Sequence, residues 1–318
     1  MNSERAIELI KEYERRIKRA NDIVKARTCF KTFITLLMPH FVFNWHHEVI
    51  IKALEDVARG KIKRLSISAP PRHGKSELTS KLFTAWLLGI NPRSTHILAA
   101  YSAGLANGFN RGIQNFIDSD IYRAIFPNTK IPGVGRNEKG NFKRTESICE
   151  TFEGGGIRSV GVQGTLTGFG AGDGNIKDDY GEFVGCGSLI IDDPVKDSLQ
   201  ASSTVYQDRT FSWYGTTAKT RVEKETPIII CQTRWHIEDL TGKILKIEGS
   251  KWTKIVLPAI CEYKQAYDPR AIGEALWPSW YNLDALNETK EVLGSRDFAA
   301  LYQQTPVVAG GNIIKEKW

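Results

Sequence analysis

The sequence predicts an α/β fold in which helices sandwich a mainly parallel β-sheet, and two observations support this expectation. Short apolar runs rich in β-branched residues alternate with segments of helical periodicity, as in parallel sheets covered by helices on both faces. One of these runs leads directly into a glycine-containing loop that opens a helix. The predicted strands begin at Arg64, Thr95, Gly156, Ser188, Thr226 and Trp252.

Length and composition indicate an ordinary globular protein. The 318 residues suffice for a full hydrophobic core, and 41% hydrophobic with 25% charged residues excludes disordered, collagen-like and coiled-coil chains. No apolar run approaches the roughly 20 residues of a membrane helix, and the charged N-terminus is unlike a signal peptide, so we expect an intracellular protein without a membrane partner. Five scattered cysteines without a CxxC pair argue against disulfides and zinc, and the net charge of +7 favours a polyanionic partner without requiring one.

The first 28 residues predict an amphipathic helix. Apolar residues recur at steps of three and four from Ala6 to Val24, and Ser3 is available as an N-cap. The other face carries arginines and lysines among glutamates, which suits either a solvated face or a docking surface. Residues 133–145 and 170–187 are rich in glycine and charge and are predicted to be loops.

The segment APPRHGKS, from Ala69 to Ser76, fits the pattern GxxxxGK[ST] with alanine at the first glycine. In such a P-loop, backbone N–H groups curl around phosphates, the lysine reaches the β- and γ-phosphates, and the hydroxyl binds Mg²⁺. The alternative, a Lys-Ser pair at an unrelated helix start, is disfavoured by the strand before it and the helix after it. The predicted phosphate-binding residues are Pro71, Arg72, His73, Gly74, Lys75 and Ser76.

A second acidic site follows the apolar strand that begins at Ser188. Asp192 is predicted to support the metal and Asp193 to polarise the attacking water, because adjacent strand residues point in opposite directions. An ordinary Asp-Asp-Pro turn is the alternative. A carboxylate in this position indicates an NTPase of the ASCE type, which hydrolyses with a carboxylate base, rather than a switch GTPase that uses glutamine.

Phosphoryl transfer also requires a cation for the charge that develops on the γ-phosphate. Arg72, inside the loop, is the first candidate and would act in cis. Arg111, on the helix predicted to begin at Ser102, is the second and would act in trans if the protein forms a ring.

Seven segments together carry a resemblance to a known family. They are Trp45-His46-His47, PPRHGKS, ILAAYS from Ile97, GTLTGFG from Gly164, LIIDDPVKD from Leu189, QTRWH from Gln232 and LYQQTPVVAGGNI from Leu301. In this order they resemble the large terminase subunit of tailed bacteriophages, the ATPase that packages double-stranded DNA into procapsids. The resemblance implies ATP and Mg²⁺ as cofactors.

The resemblance also implies roles for particular residues. Trp45 and His46 fall where terminases place an adenine-reading segment, and packing at the domain edge is their alternative. Thr233 matches the coupling motif that senses the γ-phosphate and transmits hydrolysis to movement; a strand-end hydroxyl in a local turn is its alternative. Many terminases have Asp-Glu where this chain has Asp192-Asp193.

The domain organisation and partners follow from the same resemblance. We expect a helical or lid region over residues 1–45, the ATPase domain over residues 46–305, and a linker remnant over residues 306–318. In the family this linker leads to an RNase H-like nuclease domain, so we expect that this chain does not cut DNA. The implied partners are double-stranded DNA, the portal protein, the small terminase subunit and other copies in a ring, in the host cytoplasm. Alternatives are a helicase-like translocase and a nucleotide-binding adaptor without turnover. A grip on DNA phosphates, or else a solvated loop, is predicted for Arg136, Lys139, Lys143 and Arg144.

Overall fold

The structure is a computed structural model that describes residues 3–133, 142–172 and 186–307. Its strands are β1 (Arg64–Ser68), β2 (Thr95–Ala100), β3 (Ile148–Glu150), β4 (Gly156–Gly161), β5 (Ser188–Asp192), β6 (Ile228–Gln232) and β7 (Thr253–Val256). They form one sheet in the order β3-β4-β2-β5-β6-β1-β7. All neighbours are parallel except β3, which pairs antiparallel with β4.

The helices connect these strands and cover both faces of the sheet. They are α1 (Ser3–Ala26), α2 (Phe30–Leu37), α3 (Trp45–Ala58), α4 (Phe83–Ile90), α5 (Ala103–Asp118), α6 (Asp120–Ile125), α7 (Ser198–Ser202), α8 (Thr204–Trp213), α9 (Leu240–Glu248) and α10 (Leu283–Leu301). A π-helical turn, Glu77–Leu82, precedes α4 and a second one, Tyr214–Ala218, follows α8. Among the described residues, no helix is both long and apolar enough to cross a lipid bilayer.

The predicted α/β class is confirmed, and each of the six predicted strands is present within two residues of its expected start. The prediction missed β3. This strand is three residues long, Ile-Cys-Glu, and lies at the sheet edge, so it lacks the apolar run that identifies a buried parallel strand.

The core divides into two layers because successive strand residues point to opposite faces of the sheet. Ile190 and Ile229 pack on one face, against residues of α2 to α5, and Ile191 and Ile230 pack on the other, with Trp213 of α8. All four isoleucines are fully buried. This explains why the central strands read as continuous apolar runs rather than alternating ones.

Helix α1 is present as predicted, but its apolar residues are not buried. Ile10, Tyr13, Ile17 and Val24 are 57%, 63%, 60% and 61% exposed. The helix joins the core only near its end, where Ala26 is fully buried. Periodicity therefore predicted the helix correctly but not what covers its apolar stripe.

The sheet order determines where the predicted functional residues meet. Strands β5, β6 and β1 are neighbours and run in parallel, so their carboxyl ends lie side by side at one edge of the sheet. The three segments that follow these strands begin at Asp193, Thr233 and Ala69. Ligands of α/β proteins bind at such an edge.

Candidate active site

The loop after β1 is shaped by two residues with left-handed backbone. Arg72 has φ 59° and Gly74 has φ 79°. A Cβ on Gly74 would lie 2.8 Å from Nε2 of His47, so both conformation and space favour glycine here. The chain then enters the π-helical turn Glu77–Leu82, where the N–H of Leu78 donates to the carbonyl of Gly74 at 3.0 Å.

Lys75 extends from this loop to the acidic pair after β5. Its side chain is 7% exposed and its Nζ lies 3.2 Å from Oδ2 of Asp193. Burial lowers the pKa of Lys75, but the combined attraction of Asp193, Cys231 and Asp192 opposes burial, and the net pKa is raised. The lysine is therefore a fixed ammonium ion at neutral pH.

Asp192 lies beneath the loop and is held by two hydroxyl groups. Ser76 Oγ donates to Asp192 Oδ1 at 2.9 Å, and Ser80 Oγ donates to Oδ2. Burial, together with the charge of Asp193, raises the pKa of Asp192 to about 7, although Lys75 and the hydroxyl groups oppose the shift. A serine hydroxyl beside a buried carboxylate is an all-oxygen donor set, which suits Mg²⁺.

Asp193 turns away from Asp192 and joins the other two loops. Its φ of 42° is left-handed, an uncommon conformation for a non-glycine residue. Oδ1 accepts a hydrogen bond from the backbone N–H of Thr233 at 2.7 Å, while Oδ2 faces Lys75. The two adjacent acids therefore contact different partners, and the separate roles of Asp192 and Asp193 remain predictions.

Thr233 connects all three segments. Besides its N–H bond to Asp193, its hydroxyl donates to the carbonyl of Ala69, the first residue of the loop, at 3.3 Å. This hydroxyl thus bonds across the sheet edge, and not in a local turn. The coupling role itself remains a prediction.

The two predicted arginines differ in their surroundings. Arg72 is exposed and, within the described residues, makes no hydrogen bond or ion pair. Arg111 is half-exposed on α5 and its Nη1 lies 2.9 Å from Oε1 of Glu146, just before β3. Strand β3 is at the far edge of the sheet from β1, so this contact does not involve the loop of the same chain.

Trp45 and His46 lie at the start of α3, directly behind the loop. His46 is fully buried, and its Nε2 donates to the carbonyl of His73 at 3.3 Å. His46 and His47 both pack against Trp277, with ring centroids 5.5 and 4.8 Å away. Through these contacts, aromatic side chains pack behind the loop and support it. An adenine contact by Trp45 and His46 remains a prediction.

The three histidines of this cluster, His46, His47 and His73, are neutral at physiological pH. Burial lowers their pKa values to about 2, about 4 and about 4. Nδ1 of His73 donates to the carbonyl of Pro71, 2.7 Å away, which fixes the loop from within.

Residues 66–163 match the family model of the N-terminal part of the T4-like-virus-type terminase large subunit. The terminase resemblance is thereby confirmed. The matched segment contains the loop, with Lys75 and Ser76, and runs through β2 and α5 to the residues just after β4. No curated protein matches the sequence.

Solved terminase structures share the fold. A variant of the large terminase ATPase domain of Thermus phage P74-26 is 12% identical, with a TM-score of 0.50, and the match covers 86% of this chain and 97% of that one. The large terminase of bacteriophage HK97 is 11% identical, with a TM-score of 0.51 over 91% of this chain. The chain spans 55% of the HK97 protein. The predicted α/β P-loop fold, with its mainly parallel sheet between helices, is confirmed.

Two segments that carried the terminase resemblance prove to be in contact, which sequence analysis did not foresee. Gln304, in the YQQTP segment, accepts a hydrogen bond from the backbone N–H of Arg234 at 3.0 Å. Gln303 bonds to both the N–H and the carbonyl of Ile260. Both glutamines are buried, and Gln304 attaches the end of α10 to the segment that follows β6.

Ser80 was also missed as a site residue. It lies four positions after Ser76, and residues four apart share a helix face, so its spacing was the available signal. Within the described residues no group of three histidines, cysteines or acids could hold a metal ion.

The predicted DNA grip is wrong for Arg144. Its side chain is 7% exposed and bound to Asp118, so it braces the loop instead of pointing to solvent. Lys143 is exposed. Arg136 and Lys139 lie outside the described residues.

Proposed function

We propose that this chain is the ATP-hydrolysing motor domain of a viral DNA-packaging terminase, which translocates double-stranded DNA into a procapsid. The observation that carries the proposal is the pairing of the loop with the acids. Ser76 contacts Asp192, and Lys75 contacts Asp193, which in turn accepts from Thr233. The residues proposed to bind phosphate and metal, to activate water and to couple hydrolysis to movement thus contact one another at one edge of the sheet.

Lys75 and Asp193 change partners when the nucleotide binds. The γ-phosphate competes for the ammonium group, and Asp193 Oδ2 is then released to accept a hydrogen bond from the attacking water. Oδ1 stays bound to the N–H of Thr233, which keeps the carboxylate oriented. Mg²⁺, on Ser76 and Asp192, would neutralise charge on the phosphates.

Two arginines are proposed to stabilise the charge that develops during transfer. Arg72 is exposed in the loop and would act in cis. Arg111 would act on a neighbouring subunit of a ring, after leaving Glu146.

Coupling is proposed to run from Asp193 through Thr233 to the end of α10. A shift of Asp193 moves the N–H of Thr233, and the next residue, Arg234, is bonded to Gln304. Arg234 is itself fixed by an ion pair with Asp239 at 2.7 Å. A displacement at the acid therefore reaches residues 302–305 through hydrogen bonds.

DNA, the portal protein and the small terminase subunit are the proposed partners. A packaging motor must ignore sequence, so its DNA contacts are expected to be with phosphates and to weaken as salt increases.

The test is steady-state ATP hydrolysis with Mg²⁺, with and without double-stranded DNA. Lys75→Ala and Asp193→Asn are each expected to lower kcat at least about a hundredfold. Lys61→Ala and Asp208→Asn, the same changes at exposed positions, are the controls and should leave turnover unchanged. Full activity of Asp193→Asn would overturn the assigned role. ATP binding without turnover would support the adaptor, and unwinding of a forked duplex would support the helicase.

A further inference from the structure

The exposed stripe of α1 faces away from the rest of the protein. Four polar residues of the opposite face, Arg15, Lys18, Arg19 and Asp22, line a groove against α2 and α6. From Ile7 to Asn21 every residue of the helix is exposed. The helix thus turns its polar side toward its own chain and its apolar side toward solvent, the reverse of an ordinary surface helix.

The spacing of this stripe is that of a coiled coil. Ala6, Ile10, Tyr13, Ile17, Ala20 and Val24 follow one another at alternating steps of four and three, which is the spacing of the a and d positions of a heptad. In heptad notation the a positions are Ile10, Ile17 and Val24, all β-branched. Such a seam requires a second helix to cover it.

The distribution of charge along α1 favours one orientation of a second copy of this helix. The first half of the helix, residues 4–14, has four glutamates against two cations, and the second half, residues 15–25, has five cations against one aspartate. The same distribution suits the dipole of the helix itself. A parallel copy would place like charges together, whereas an antiparallel copy would place the acidic half against the basic half.

The heptad residues fit the same antiparallel arrangement. With the two-fold axis at Arg15, Ile10 meets Ala20 of the second copy, and Tyr13 meets Ile17 of the second copy. Large residues at a positions therefore oppose small or planar ones at d positions, which lets the two seams interdigitate. The helix of 24 residues is about 36 Å long, which suits a reversible contact.

We propose that α1 is a self-association surface, on which α1 of a second copy of this chain packs in antiparallel orientation. The contact uses no residue of the nucleotide site, so it is independent of the proposed ATPase function.

The first test is the mass of the full chain in solution over a wide range of concentrations, by sedimentation equilibrium. Reversible dimerisation is expected, and Ile17→Asp should weaken it at least about tenfold because a charge enters an apolar seam. Ile247→Asp is the matched control. Ile247 is an isoleucine 70% exposed on α9, and its replacement should leave the dimer unchanged. A chain that is monomeric at every concentration, or an equal loss in both variants, would overturn the proposal.

The second test determines the relative orientation of the two α1 helices by disulfide formation. In a Cys29→Ser background, Ile10→Cys and Ala20→Cys chains are mixed and treated with oxidised glutathione, which accepts the electrons of the two thiols. Antiparallel packing predicts a disulfide between the two different chains and none in Ile10→Cys alone, whose two copies would lie about 15 Å apart. A disulfide in Ile10→Cys alone, or no disulfide in the mixture, would overturn the antiparallel contact. Circular dichroism confirms that each variant is folded.

Discussion

Gly74→Ala should damage the loop more than its small size suggests. At φ 79°, an alanine costs about 1–2 kcal/mol for its left-handed backbone alone. Its Cβ would also lie 2.8 Å from Nε2 of His47. The His47 ring cannot easily move away, because it is wedged between the rings of His46, with centroids 3.9 Å apart, and Trp277, at 4.8 Å. Overpacking of this kind adds about 1–3 kcal/mol.

We therefore expect Gly74→Ala to lower the free energy of unfolding by about 2–5 kcal/mol, measured by urea denaturation. Gly154→Ala is the matched control. Gly154 has φ 92° but no atom within 4 Å of the position that a Cβ would take, so this change carries only the backbone cost. If the two variants lose equal stability, His47 is not a rigid wall behind the loop, and the reasoning fails. Combining Gly74→Ala with His47→Ala should show a favourable coupling above about 0.5 kcal/mol.

Three further predictions concern the surrounding hydrogen bonds and charges. Ser80→Ala removes one of the two hydroxyl donors of Asp192, so it should raise the Mg²⁺ concentration for half-maximal ATP hydrolysis about 10–100-fold. Ser250→Ala, at an exposed serine, is the control and should leave this concentration unchanged. An unchanged Mg²⁺ requirement in Ser80→Ala would contradict the role of Ser80. Thr233→Val keeps the N–H bond to Asp193 but loses the hydroxyl bond to the carbonyl of Ala69. DNA-stimulated ATP hydrolysis should therefore fall more than basal hydrolysis. Equal losses of the two activities would refute coupling through the hydroxyl. The pKa of His47 is lowered to about 4, so the unfolded chain binds a proton that the folded chain does not, and stability should decrease as the pH falls from about 6.5 to 4. His47→Gln should reduce this loss of stability at acid pH, by up to about 3 kcal/mol of unfolding free energy at pH 4, measured by urea denaturation. If the variant and the wild type show the same dependence of stability on pH, His47 does not contribute to the loss.

The sequence predicted best those elements whose residue pattern has a single structural explanation. Runs such as LIID are buried on both faces of a parallel sheet, so their apolar continuity identified β5 and its neighbours. The order of a strand, a glycine-containing loop and a Lys-Ser pair likewise identified the site, because phosphate binding constrains all three.

The remainder depends on contacts that no local pattern encodes. Periodicity identified α1 but carries no information on what lies opposite its stripe. Arg144 resembled a solvated cation until Asp118, distant in the chain, was found beside it. The bond between Gln304 and Arg234 joins residues 70 positions apart, and only the fold brings them together.

The order of the three central strands also determines the width of the site. Strand β6 lies between β1 and β5, so the loop and the acidic pair are separated by two interstrand spacings, about 9.5 Å. Because the central strands are hydrogen-bonded and buried, this width is fixed by the sheet. Lys75 and Thr233 span it: the lysine ammonium group reaches Asp193, and the threonine hydroxyl reaches the carbonyl of Ala69. For the proposed ATPase, the sheet would set the distance between the phosphate-binding loop and the acidic pair, and motion during turnover would be confined to the loops at the edge of the sheet.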